Sequence, residues 1–183
     1  MIDEVMALPR RSLIVLCGPA GAGKSTFASD VLQRNGLAST AAVSSDACRL
    51  LLCDDIRSVT RDQWATLQPN TFQLFLTIIG MRLSLKRPAI ADGVNLYAEL
   101  RSGLLGHART HAYHSALVVF DLSLETCLAQ NAQRPEARRL PEDQIRAQRQ
   151  FLDNLLPRLA GEGWDRVIVL NERRRTAPID LAD

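Results

Sequence analysis

Short runs of consecutive apolar residues alternate along this chain with longer stretches whose apolar residues recur at helical spacing. The runs are Leu13–Cys17, Thr40–Ser44, Pro88–Ala91, Ala116–Phe120 and Arg166–Leu170. Strands of this kind suit a parallel sheet covered on both faces. Between them the pattern predicts helices over 24–34, 47–52, 71–86, 97–110, 124–131 and 141–159. In the third of these, Phe72, Phe75, Leu76, Ile79 and Leu83 mark one face. Strand and helix alternate throughout, which predicts an α/β fold: a three-layer, doubly wound, parallel five-stranded sheet in one domain over 1–183. Its core would span about 12–171. Residues 1–11 read as a loose lead-in, 53–70 as polar and irregular, and 172–183 as a charged, mobile tail.

Composition refines this picture little. The 183 residues include 46% hydrophobic and 23% charged positions, an ordinary globular balance. A formal charge of +2 does not advertise a nucleic-acid partner, although it leaves room for a local basic channel. Cys17, Cys48, Cys53 and Cys127 form no C-x-x-C pair and no His cluster accompanies them, which argues against zinc and against a disulfide framework. The N-terminus lacks a signal-peptide pattern and no run approaches the ~20 residues of a membrane span. A protein of the reducing cytoplasm, with no membrane partner, is expected; the oligomeric state is left open.

The informative chemistry begins where the first apolar run ends. Gly18-Pro19-Ala20-Gly21-Ala22-Gly23-Lys24-Ser25 matches G-x-x-x-x-G-K-[ST] in full. Glycines allow the backbone to curl so that its N–H groups face phosphate oxygens, and the following helix offers its positive end. Lys24 is suited to the β- and γ-phosphates and Ser25 to Mg²⁺. ATP with Mg²⁺ is therefore the expected cofactor pair, held by Gly18, Ala20, Gly21, Ala22, Gly23, Lys24, Ser25 and Thr26. No guanine-reading N-K-x-D occurs in the chain. Contacts to adenine are expected near Asn171, after the last strand.

Carboxylates close several strands. Asp46 follows the second run, where a base could take a proton from a hydroxyl acceptor; it could equally cap the next helix through Ser44-Ser45-Asp46. Arg49 falls one helical turn later on the same face. Asp92 and Asp121 end the third and fourth runs, and either could assist Mg²⁺ or be a turn residue. The stretch Arg134-Pro135-Glu136-Ala137-Arg138-Arg139 lies between two helices. It reads as a lid over about 131–140, whose arginines would neutralise a moving phosphoryl group, or as a solvated basic turn.

Taken in order, these motifs resemble the kinase domain of bacterial end-healing enzymes, the 5′-hydroxyl polynucleotide kinase family of P-loop phosphotransferases. The residues that carry the resemblance are Gly18–Thr26, Ser45–Arg49, Asp54-Asp55, Asp92–Asn95 with Arg101, Cys127, Asn131, Arg134 and Arg138, and Glu162-Gly163-Trp164 before Val167–Asn171. Gln130 precedes Asn131 where that family's lid usually carries Arg. The resemblance implies an adenylate-kinase-like sheet and Asp46 as general base toward a 5′-OH. It also implies Arg49, Asp92, Asn95 and Arg101 on the acceptor side, and Arg134 and Arg138 on the ATP phosphates. An end of DNA or RNA is the first acceptor reading. A small-molecule hydroxyl, of a sugar, nucleoside or antibiotic, is the second, and a non-catalytic ATP-dependent switch is the third.

Overall fold

The structure is a computed structural model that describes residues 6–173 and 178–182. Its centre is a five-stranded parallel sheet. After a short strand β1 (Met6–Pro9), the buried strand β2 (Ser12–Cys17) leads through the glycine-rich turn into α1 (Lys24–Arg34). β3 (Ala42–Ser44) is followed by α2 (Ser45–Cys53) and the long α3 (Arg61–Ser84). β4 (Ala89–Asp92) leads to α4 (Ala98–Thr110), and β5 (His114–Asp121) to α5 (Leu124–Ala132) and α6 (Glu142–Leu155). β6 (Arg166–Asn171) completes the sheet in the order β3-β4-β2-β5-β6, all parallel.

Every residue of β2 and β4 is buried, as strands covered on both faces require. One core gathers Ile14, Leu16, Phe27, Val31, Ile90, Val118 and Leu170 beneath α1. The other gathers Leu13, Val15, Phe75, Ile79, Leu104, Leu117 and Leu152 beneath α3, α4 and α6. All parallel strands end on one edge, so the loops after β2, β3, β4 and β5 meet there, where ligands of open α/β sheets bind.

Two expectations need correction. Residues 53–70 are not irregular. Asp55 caps a 3-10 turn at Ile56–Ser58, and α3 begins at Arg61. Thr60 and Gln63 form a capping box, each side chain bonded to the other's backbone N–H, at 3.3 and 2.8 Å. The chain ends are not wholly loose either: β7 (Ile179–Ala182) pairs in parallel with β1 in a second, two-stranded sheet. The expected lead-in at 1–5 and the tail positions 174–177 and 183 lie outside the described residues.

The end of α1 locks β7 in place. Asn35 donates to the Ile179 carbonyl and accepts from the Leu181 N–H, at 2.8 and 2.7 Å, and Arg34 pairs with Asp180. Ile179 is fully buried beside Met6 and Leu8. Ile179→Ala is therefore expected to cost about 2–5 kcal/mol, the range for truncating a buried aliphatic side chain. A denaturant melt reads it, and unchanged stability would show that β7 does not dock.

Candidate active site

The turn between β2 and α1 is shaped by contact from the outside. Gly21 has φ +79°, and a Cβ there would run into the backbone carbonyl of Cys127 on α5. Gly23, at φ +83°, opens α1 in the left-handed conformation, and no side chain caps the helix or places an acid in its first turn. The helix end thus keeps its positive character for an anion. Ala20 and Ala22 are buried within the turn, while Ser25 and Thr26 are exposed on the first turn of α1. Lys24 folds back over the turn: its ammonium donates to the carbonyls of Gly18 and Pro19 at 2.9 and 2.6 Å.

Asp92 ends β4 beside this turn, 8% exposed. Burial pushes its carboxyl above the usual range, against a hydrogen bond from Ser25 and the charges of Lys24 and Arg134, while Asp46 adds to the rise. Burial likewise depresses Lys24, with Asp92 opposing. A hydroxyl and a buried carboxylate in contact form a donor set that fits Mg²⁺, which the phosphates and water would complete. Asp121 already has a partner of its own. It pairs with Arg149 at 2.6 Å, and Arg149 also holds Asp153.

Asp46 proves not to cap α2. Ser44 does so, its hydroxyl accepting from the Ala47 N–H at 3.3 Å. The Asp46 side chain is 64% exposed and meets Arg49 at 2.6 Å. Arg49 in turn lies over the Trp64 ring, 5.8 Å from its centroid.

Two expected acceptor residues point inward instead. Arg101 is 1% exposed. Its guanidinium donates to Glu162, at 2.9 Å from Nε, and to the carbonyls of Asn95 and Leu96 at 3.1 and 2.6 Å. With its donors so engaged in the interior it cannot reach an acceptor, and its place is in the framework. Asn95 is also buried, donating from Nδ2 to the carbonyls of Leu16 and Ala91 at 2.7 and 3.1 Å; its Oδ1 has no partner. It ties the loop after β4 to the strand that feeds the glycine-rich turn.

In the lid, Asn131 closes the base: its amide donates to the Leu140 carbonyl and accepts from the Leu140 N–H, at 2.9 and 3.1 Å. Arg134 is half-buried and its charge is felt at both Lys24 and Asp92. Arg138 stands on the exposed 3-10 turn Glu136–Arg138. Asn171, at the exposed end of β6, accepts from the Arg173 N–H at 3.0 Å.

Sequence reasoning missed Gln148. From α6 it accepts from the Ala20 N–H at 2.8 Å and so fastens that helix to the glycine-rich turn. It also missed the cavity of about 770 Å³ beside the turn, whose walls include Gly23, Thr26, Asp30, Gln130, Leu122 and Pro178. Leu170 and Ile179 line it too, whereas Asn171 does not.

The strand order, the glycine-rich turn and the lysine define a P-loop nucleotide-binding fold. The chain belongs to the AAA_33 family, an AAA domain, which it matches over residues 13–155. Solved structures share the fold. A gluconokinase from Sinorhizobium meliloti 1021 is 19% identical at a TM-score of 0.58, over 90% of this chain and 84% of its own. A sugar kinase from Janibacter sp. HTCC2649 is 19% identical at 0.61, over 88% and 86%. A chain of the PezAT chromosomal toxin–antitoxin system of Streptococcus pneumoniae is 14% identical at 0.62, over 93% and 71%. No curated protein sequence matches significantly. Among the described residues no helix is long and apolar enough to cross a membrane, and no three His, Cys, Asp or Glu side chains cluster as a metal site.

Two predictions follow from this geometry. Arg101→Ala leaves Glu162 and two loop carbonyls without their partner, and is expected to destabilise the protein by about 3–5 kcal/mol. A stable Arg101→Ala protein with a raised KM for an acceptor would instead restore the binding role. Asp92 has its own pH signature. If Asp92 holds Mg²⁺, its carboxylate must be ionised to do so, and its pKa is raised, so Mg²⁺-dependent nucleotide binding should fade on acidification at a higher pH than an ordinary carboxylate would dictate. Folding stability has the opposite sign: the folded chain binds that proton more readily than the unfolded one, so Asp92 adds stability as pH falls. Nucleotide titrations across pH read the first effect. A profile unchanged in Asp92→Asn would remove Asp92 from the metal site.

Proposed function

We propose that the protein is an ATP- and Mg²⁺-dependent kinase that transfers the γ-phosphate to a hydroxyl of a small molecule. The observation that carries this reading is the convergence of Lys24, Ser25, Asp92, Arg134 and Asp46 around the uncapped start of α1. In it, the nucleotide phosphates replace the Gly18 and Pro19 carbonyls as partners of Lys24, and the nucleoside occupies the cavity beyond Thr26. Ser25 and Asp92 would hold Mg²⁺, which would neutralise phosphate charge. Asp46 accepts the proton of the acceptor hydroxyl as its oxygen bonds to the γ-phosphorus. The bond to the bridging oxygen breaks and ADP leaves. Arg134 offsets the charge spread over the transferring group.

Two observations favour a small acceptor over a polynucleotide end. Arg49 is paired with Asp46, and Arg57 is held by both oxygens of Asp55, at 3.1 and 3.0 Å. Arg49 and Arg57 thus have carboxylate partners, whereas a strand of phosphates needs open positive charge. Proteins of the same fold include a gluconokinase and a sugar kinase.

The test uses γ-labelled ATP with Mg²⁺, a panel of hydroxyl compounds and a 5′-OH oligonucleotide. Label is expected on a small molecule. Asp46→Asn should lower turnover about 10²–10⁴-fold with ATP affinity retained. Label on the oligonucleotide alone would return the acceptor to nucleic-acid ends, and full turnover in Asp46→Asn would sink the base assignment. Lys24→Ala is expected to abolish ATP binding or turnover.

A further inference from the structure

A second concavity, of about 380 Å³, opens between α3 and α4. Its walls are Gln68, Phe72, Leu76, Tyr97, Glu99 and Leu100. No lysine or arginine belongs to that lining, and Glu99 is its one charged residue. Three aromatic rings stand in a row at its rim. Tyr97 is 6.2 Å from Phe72 and 5.9 Å from Phe151, centroid to centroid, and Tyr97 and Phe151 are 52% and 44% exposed. Nothing in the core needs these two rings in water.

Three of the elements around the groove also carry or hold groups of the proposed transfer site. On α3, Trp64, Gln68, Phe72 and Leu76 are spaced by four residues and form one stripe. Its first member lies under Arg49, the partner of Asp46. On the loop after β4, Tyr97 follows Asp92 by five residues, and the loop is pinned by Asn95 and Arg101. On α6, Phe151 lies one turn beyond Gln148, which holds the phosphate loop at Ala20. Eight residues of helix separate Trp64 from Phe72, roughly 12 Å.

From this we infer that the groove holds the body of the phosphoryl acceptor, an uncharged or amine-bearing alcohol with a planar ring. The inference rests on the kinase reading and narrows its acceptor. The ring packs against Tyr97 and Phe72, and the hydroxyl reaches Asp46 across the mouth by Trp64. Gln68 and Glu99 supply the polar contacts, and an amine on the ligand would find Glu99. A sugar acid or a phosphodiester chain would meet aromatic faces and a carboxylate there, with no cation to pair.

The test measures ADP release with three acceptor groups: nucleosides and aromatic amino alcohols, gluconate, and a 5′-OH oligonucleotide. The first group is expected to be turned over. Tyr97→Ala, at an exposed position, should raise the acceptor KM about tenfold or more and leave the KM for ATP unchanged. Glu99→Gln should weaken amine-bearing acceptors and spare neutral ones. Efficient turnover of gluconate or the oligonucleotide would overturn the inference, as would an acceptor KM unmoved in Tyr97→Ala. Ligand-observed NMR with the same ring compounds separates this from failure of the kinase reading. Binding lost in Tyr97→Ala without any turnover would uphold the groove and sink the kinase. Turnover or ATP binding with no Tyr97-dependent ring binding would uphold the nucleotide site and sink the groove.

Discussion

A lysine ammonium and a carboxylate are buried together beneath the glycine-rich turn, and each offsets the cost of burying the other. Desolvation alone would drive Lys24 toward its neutral amine and Asp92 toward its neutral acid. Their mutual attraction, with the hydroxyl of Ser25 and two loop carbonyls, opposes both shifts. The loop geometry follows from this arrangement. Lys24 can donate to Gly18 and Pro19 only because the chain curls back over it. That curl requires Gly21 to pass close against the Cys127 carbonyl with a left-handed backbone. The result is a positive helix end with no side chain of its own to satisfy it, set against a carboxylate that burial has made eager for a cation.

The two core layers divide the work around this centre. Beneath α1, the first core extends to β7, whose Ile179 with Pro178 walls the cavity next to Thr26. Beneath α3, α4 and α6, the second core supports the aromatic row at Phe72, Tyr97 and Phe151. The sheet edge joins the two sides, and Gln148 and Asn95 fasten each neighbouring element to the phosphate loop or its strand.

Much of this was legible in the sequence because its signals are local. The five strands announce themselves as unbroken apolar runs, and the loop as a fixed string of glycines, lysine and serine. The first part of α3 was not read: polar residues and Pro69 mask its helical pattern before Thr71, although Thr60 and Gln63 stand at capping-box spacing. The pairing of β1 with β7 had no local signal, since four residues at each end recognise one another across the whole chain. Arg101 was misread for a different reason. It shares a face of α4 with Leu104, Leu105 and Ala108, all buried, and a charged residue on an apolar stripe is more often a framework pair than a surface contact. Gln148 is uncharged and lies on α6 between Ile145 and Leu152, so only its place among buried neighbours, and no charge, marked it.

In the proposed kinase, selectivity and chemistry would come from different parts of this chain. Lys24, Ser25, Asp92 and Asp46 present groups that would serve any hydroxyl, because a phosphoryl group in flight asks only for positioned charge and a base. They say nothing of what bears the hydroxyl. In the reading proposed above, that information would reside in the helices beside Asp46, where α3 carries Trp64, Gln68 and Phe72 and Tyr97 precedes α4. Ser44 caps α2 in place of Asp46, which frees the carboxylate to answer to Arg49. Arg49 is in turn set by the ring of Trp64. In the proposed kinase, the base would thereby be oriented by the same helix that lines the proposed acceptor groove, which would couple the identity of the acceptor to the readiness of the group that deprotonates it.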